Sequence, residues 1–171
     1  PVYLLMTGVL LATTPKVAQR FGAQQHDEIA PLVRQALWLA LFVGLLGSAL
    51  LLSAEPILHW MKVDPLLIEP SMGYLQGIAF GFPGIAFYYV LRCYSDGMGR
   101  TRPSMIIGVC GLLLNIPLNY ALIYGHFGLP ALGGVGCGWA SGIVMWFMAL
   151  SMAGWTRWAP FYARTRILLR F

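Results

Sequence analysis

The chain has 171 residues, 58% of them hydrophobic and only 10% charged, with a formal charge of +5 and a mean hydropathy of +0.71. A soluble domain carries about 25% charged residues, so a chain this apolar does not make a water-facing surface, and lipid is the expected solvent. The positive balance does not indicate nucleic acid, because the basic residues lie between apolar runs and not along one polar face.

Residues 1–15 form a first apolar stretch without a basic leader, so it is not a secretory signal. At ~1.5 Å per residue it falls short of the ~30 Å hydrocarbon core, and it is expected to be the tail of a helix that begins upstream. In the connection that follows, Asp27 and Glu28 precede Ile29, Leu32 and Val33, which predicts a short amphipathic helix on the membrane surface with Pro31 in its first turn. Full-length spans are expected over residues 36–54, 73–91, 105–125 and 136–156. Pro56, Pro65 and Pro70 punctuate residues 55–72, which predicts a loop with a broken helix.

Of the 11 Lys and Arg, all but Lys62 fall in alternate connections: Lys16, Arg20 and Arg34, then Arg92, Arg100 and Arg102, then Arg157, Arg164, Arg166 and Arg170. Basic residues mark cytoplasmic connections, so the last segment, residues 157–171, is expected in the cytoplasm. Trp38, Trp60, Trp155 and Trp158 lie near span ends, where indoles face headgroups. Cys93, Cys110 and Cys137 lack metal-ligand spacing and read as free thiols. His26, His59 and His126 are unpaired at helical spacing, no G-x-S-x-G is present, and no carboxylate falls inside the four predicted spans, so a catalytic centre at membrane depth has no residues to build on.

One span concentrates the polar chemistry. Asn115 and Asn119 share a helix face, with Gly108 and Gly111 on the same side, and Pro117 between them frees the carbonyl of Leu113. Amides at that depth must face protein or water. Two readings stand: interhelical hydrogen-bonding as packing glue, or a cavity wall that touches a cation or substrate. In the last span Gly134, Gly138 and Gly142 recur every four residues, a small-residue stripe for helix packing, and Ser141 beside them has a hydroxyl to turn toward a cavity. Gly81, Pro83 and Gly84 predict a bend, with Tyr88 and Tyr89 about a turn beyond, lining a passage or packing. Residues 92–103 predict a tight charged turn in which Asp96 pairs with an arginine.

These motifs resemble a known family. Asn115-Ile-Pro-Leu-Asn119-Tyr-x-Leu-Ile-Tyr-Gly125 followed by His126-Phe-Gly-Leu-Pro-Ala-Leu-Gly-Gly-Val-Gly-Cys-Gly138 is similar to the fifth and sixth helices of NorM-type multidrug and toxic compound extrusion (MATE) transporters. Asp96-Gly-x-Gly-x-Thr-x-Pro103 resembles the cytoplasmic turn before them, and Thr14-Pro15-x-Val-Ala-Gln19-x-x-Gly22-Ala23 the end of the second helix. The resemblance implies an all-α integral membrane protein, a helical bundle running from the end of helix two through helix six in the N-terminal six-helix lobe of a twelve-helix fold. It implies antiport of cationic amphiphilic drugs against sodium or protons across the bacterial inner membrane, without a cofactor, in a cavity completed by the C-terminal lobe. It places Asn115, Asn119 and Ser141 on the cavity wall, with a possible sodium contact through the two asparagines, and Pro117 at a bending point. In the family a first-helix aspartate carries the coupling; some relatives have a second aspartate where Asn119 stands. A lipid-linked precursor flippase of the same superfamily is the competing reading; it calls for arginines inside the cavity to grip phosphate, whereas every arginine here is expected at a cytoplasmic end. A membrane enzyme is the third.

Overall fold

Proline and glycine set the helix boundaries. The computed structural model describes residues 2–62, 64–125 and 131–159, and among these there is no strand. The helices are α1 (Val2–Leu11), α2 (Thr13–Gly22), α3 (His26–Leu52), α4 (Glu55–Trp60), α5 (Pro65–Gly97), α6 (Arg102–Tyr124) and α7 (Gly134–Trp158). Pro15 has no N–H for the carbonyl of Leu11, and α1 ends at Leu11. Asp64 caps α5, its carboxylate accepting the N–H of Leu66 at 3.0 Å, with Pro65 at the first helical position. Gly125, at φ 72°, ends α6 in the left-handed conformation that glycine adopts at least cost. The helices α3, α5, α6 and α7 are each long and apolar enough to cross a membrane, and the molecule is a multi-pass helical membrane bundle.

Three elements differ from the sequence-based expectation. The predicted surface helix around Pro31 is the first part of the 27-residue α3. Ile29, Val33, Ala36, Leu37 and Ala40 are all buried and follow one continuous helical stripe, so the packing that fixes the span also fixes its lead-in. The ion pair between Arg20 and Glu28 joins α2 to this lead-in. The second is the helix over 73–91, which is 33 residues long, from Pro65 to Gly97. At ~1.5 Å per residue it runs about 50 Å, well past the hydrocarbon core at both ends. Pro70 and Pro83 lie inside it, and the turn expected over 92–103 shrinks to the residues around Gly99, at φ 74°. The third is the first stretch, which divides into α1 and α2 instead of one helix over 1–15. The block His126–Pro130 and the tail with Arg164, Arg166 and Arg170 lie outside the described residues.

The packing is centred on α5, whose candidate span is 56% buried against 22% for α6. Helices α3 and α7 both pack on α5, α6 packs chiefly on α7, and α1 and α2 close over α3 and α5. Backbone meets backbone where α5 crosses α7. A Cβ on Gly77 would strike the backbone of Gly138 and Trp139, one on Gly138 the carbonyl of Tyr74, and one on Gly142 the carbonyl of Gly77. The small-residue stripe predicted on α7 therefore has a counterpart on α5. Gly134, by contrast, faces open space, and the close contact starts at Gly138. With no hydrophobic drive between helices in lipid, this approach is what dispersion needs.

The second device lies at Pro83. A proline cannot donate to the carbonyl four residues before it, here that of Ala79. Ser48 of α3 supplies the missing donor, its Oγ lying 2.6 Å from the Ala79 oxygen and 3.0 Å from that of Gly44. From the other side, the indole Nε1 of Trp146 on α7 donates to the Phe80 carbonyl at 2.9 Å. Gly44 lets α3 approach α5 at this point, since a Cβ there would come within 2.9 Å of the Pro83 Cα. A backbone polar group left open in lipid is costly, so α3 and α7 both supply donors to this stretch of α5.

Two substitutions in the full-length protein check this packing. Ser48→Ala is expected to cost about 1 kcal/mol and to lower Tm in detergent, with Ser48→Thr recovering most of the loss. Gly142→Leu is expected to cost about 3 kcal/mol or more and to abolish the folded peak in size-exclusion chromatography.

Candidate functional site

Helices α5 and α6 meet only near the turn that joins them and otherwise diverge, with α7 behind both. The space between the three is a groove of about 720 Å³. Its walls include Tyr88 and Tyr89 from α5, Gly108, Leu112 and Asn115 from α6, and Ser141, Met145 and Met148 from α7. Gly108 lines the groove, while Gly111 lets α6 pack close to α7, since a Cβ there would lie 2.9 Å from the Met148 sulfur. Much of the lining is apolar, aromatic and rich in Met, which adapts its shape to varied ligands.

Of the predicted site residues, Asn115 of α6 and Ser141 of α7 both line this groove. The Ser141 hydroxyl donates to the Cys137 carbonyl one turn back, at 2.9 Å, which leaves its oxygen as an acceptor toward the groove. Asn119 is not among the lining residues. It lies one turn further along α6, where its Nδ2 donates to the Asn115 side-chain oxygen at 2.7 Å and to the Asn115 carbonyl at 3.0 Å. The two amides are thus one unit, with Asn119 fixing the rotamer that Asn115 presents. The Oδ1 of Asn119 is buried and has no hydrogen-bond partner among the described residues. Such an acceptor costs roughly 1–3 kcal/mol until something donates to it. Pro117 is exposed beside Ile116, which is 63% exposed, on a side of α6 that no described helix covers. Pro83 lies against Gly44 of α3 and is not among the lining residues of the groove.

A polar cluster closes the end of the groove that carries Arg92, Arg100 and Arg102. Asp96 accepts from Arg92 Nε at 3.3 Å and from Ser104 Oγ at 2.9 Å. The Tyr88 hydroxyl donates to the Ser104 carbonyl at 3.2 Å, and Ser95 Oγ to the Arg100 carbonyl at 2.6 Å. One carboxylate therefore ties the last turn of α5 to the first turn of α6. The sequence reading put Asp96 in a connection and no carboxylate in a span; α5 continues far enough to include it. The signal was present, because 88, 92 and 96 fall at steps of four on one helix face. Among the described residues there is no cluster of three or more His, Cys, Asp or Glu.

The chain can now be set beside known proteins. The MatE family model matches residues 1–121. The chain belongs to the MATE family. It is 62% identical, over its whole length, to the multidrug resistance protein PmpM of Pseudomonas aeruginosa, and 47% identical to the multidrug resistance protein MdtK of Klebsiella pneumoniae. It spans only 36% and 38% of those two relatives, about a third of each. Among solved structures, the inward-facing conformation of a multidrug resistance MATE family transporter of the MOP superfamily superposes with a TM-score of 0.81 at 26% identity, over 90% of this chain and 34% of that one. In this MATE chain the α5–α6–α7 groove is a hollow between helices of one bundle, lined by the Asn115 amide, which Asn119 holds from outside it, and by the Ser141 hydroxyl.

Thiol labelling checks the geometry. With Cys93, Cys110 and Cys137 replaced by Ala in the full-length protein, Asn115→Cys and Ser141→Cys are expected to react with a small water-soluble reagent at least several-fold faster than Asn119→Cys, measured by mass shift over time.

Proposed function

We propose that this chain forms part of the N-terminal lobe of a multidrug efflux antiporter and that its groove is one wall of the drug and ion passage. The segment corresponds to the end of helix two through helix six of twelve, and the C-terminal lobe of the same protein supplies the facing wall. The observation that carries the reading is the linked pair Asn115–Asn119 beside a groove whose other walls are mostly apolar and aromatic, apart from Ser141 and the Arg92–Asp96–Ser104 cluster at one end. Two amides with an unsatisfied buried acceptor are costly in a membrane unless a ligand, an ion or another part of the chain uses them. The multidrug resistance names of the two relatives agree with it.

In mechanism, Tyr88, Tyr89 and the methionines take up greasy cations by burial and by the attraction of ring faces for positive charge, with little geometric demand. Asn115, with Ser141, contacts the polar end of the substrate or the coupling ion. Asn119 turns Asn115 toward the groove and offers its own Oδ1 to sodium or to a donor from the missing part of the chain. Pro117 and Pro83 set the bends of α6 and α5. Rocking of the two lobes then alternates access. The end of the groove with Arg92, Arg100 and Arg102 faces the cytoplasm of a bacterial cell, as does the segment 157–171, and the protein lies in the inner membrane. No cofactor enters this cycle; inward sodium or protons drive it.

The competing flippase reading requires an arginine free to bind phosphate. Arg92 does line the groove, but it is paired with Asp96, so its charge is already compensated and transport of the cationic class is favoured.

Asn115→Ala and Asn119→Ala in the full-length protein are each expected to lower cationic-dye efflux from cells about tenfold at unchanged membrane abundance, the order of loss when one desolvated polar contact is removed. Wild-type resistance in both variants would make the pair a packing contact. A membrane-impermeant label applied from outside is expected to reach a cysteine at Lys62 and none at Arg100.

A further inference from the structure

A second cleft, of about 310 Å³, is lined by Leu37, Trp38 and Leu41 of α3, Phe87 and Leu91 of α5, and Trp146, Ala149, Leu150 and Ala153 of α7. Both α3 and α7 pack mainly on α5, and the cleft lies between them. Leu91 and Ala149, each 4% exposed, form its floor, and Trp38 and Leu150, 65% and 67% exposed, stand up as its rims. The cleft shares no lining residue with the groove. Its walls present no charge.

Charge appears at one end only. Arg34 lies on the same stripe of α3 as Leu37, Trp38 and Leu41, three to seven residues before them, and its Nε reaches back to the Ala30 carbonyl at 3.5 Å. Arg157 lies on the same stripe of α7 as Trp146, Leu150 and Ala153, four residues past the last, and is exposed. Both arginines thus stand at the mouth of the cleft, at the basic end of the bundle, and no acidic residue lines it. An apolar slot along the membrane normal, with two cations where the slot meets the headgroup layer, matches an anionic phospholipid: one acyl chain in the slot and the phosphate between the guanidinium groups.

We propose that this cleft is a binding site for an anionic phospholipid, with Trp38 as the rim against its acyl chain and Arg34 and Arg157 as the headgroup contacts. The site is independent of the transport reading and requires only that the bundle span a bilayer.

Quenching by brominated lipid tests it. The full-length protein is reconstituted in mixed phosphatidylcholine and phosphatidylglycerol vesicles in which one or the other lipid carries dibrominated chains. The Trp38 contribution is taken as the difference between the parent and Trp38→Phe. Brominated phosphatidylglycerol is expected to quench Trp38 with roughly tenfold preference over brominated phosphatidylcholine. That preference is expected to vanish in the Arg34→Gln/Arg157→Gln double variant, while quenching by phosphatidylcholine persists there and reports an intact cleft. Equal quenching by the two lipids in the parent protein would reduce the cleft to ordinary lipid contact and overturn the proposal. So would no quenching of Trp38 by either, since the cleft is then covered by protein. A double variant that keeps the preference would also overturn the headgroup assignment.

Discussion

In lipid a free backbone carbonyl has no water to turn to, and that constraint organises this bundle around α5. Pro83 has no N–H for the carbonyl of Ala79, and the carbonyls of Ala79 and Phe80 both take outside donors. Ser48 answers from α3 and Trp146 from α7. Once those hydrogen bonds are made, α3 and α7 are fixed on either side of α5, and the glycine contacts of Gly77 with Gly138 and Gly142 set how closely α7 approaches. The hollows of the molecule follow from this arrangement. Because α7 is held against α5, α6 packs chiefly on α7 and touches α5 only where Asp96 and Tyr88 meet Ser104, and the groove lies in the space beyond.

The two hollows use polar chemistry in opposite ways. In the groove, charge is neutralised locally: Asp96 is held by Arg92 and Ser104, and the remaining polar atoms are uncharged amides and hydroxyls. Neutral acceptors contact a cation without binding it too tightly to release, which suits a passage. In the cleft, the lining is apolar and the positive charge stands at the mouth, where the headgroups of a bilayer lie. A single pair of helices, α5 and α7, contributes to both hollows through different residues.

Much of the bundle was legible in the sequence because hydropathy and charge are local quantities. The four spans, the alternation of basic connections and the glycine stripe of α7 needed no partner to be seen. The ends of α3 and α5 were not, since Pro31, Pro65 and Pro70 read as breaks. Buried stripes such as Ile29–Val33–Ala36–Ala40 outweigh one lost hydrogen bond near a helix start, and a proline at the first helical position costs nothing. The groove was half legible. Asn115, Asn119 and Ser141 stood out as polar atoms in an apolar run, whereas Asp96 was hidden in what read as a turn.

The sequence by itself determined that this is a multi-span membrane chain, and its motifs pointed to the MATE family; composition and periodicity depend on each residue's own transfer energy and on helix geometry alone. Only the tertiary structure decided which amide faces the groove and which one holds it, that the donor for the Ala79 carbonyl before Pro83 comes from Ser48, and that the α7 glycines meet a matching row on α5 from Gly138 onward and not at Gly134. Those outcomes depend on which helix lies beside which, and pairing between helices far apart in the chain leaves no local trace in the order of residues.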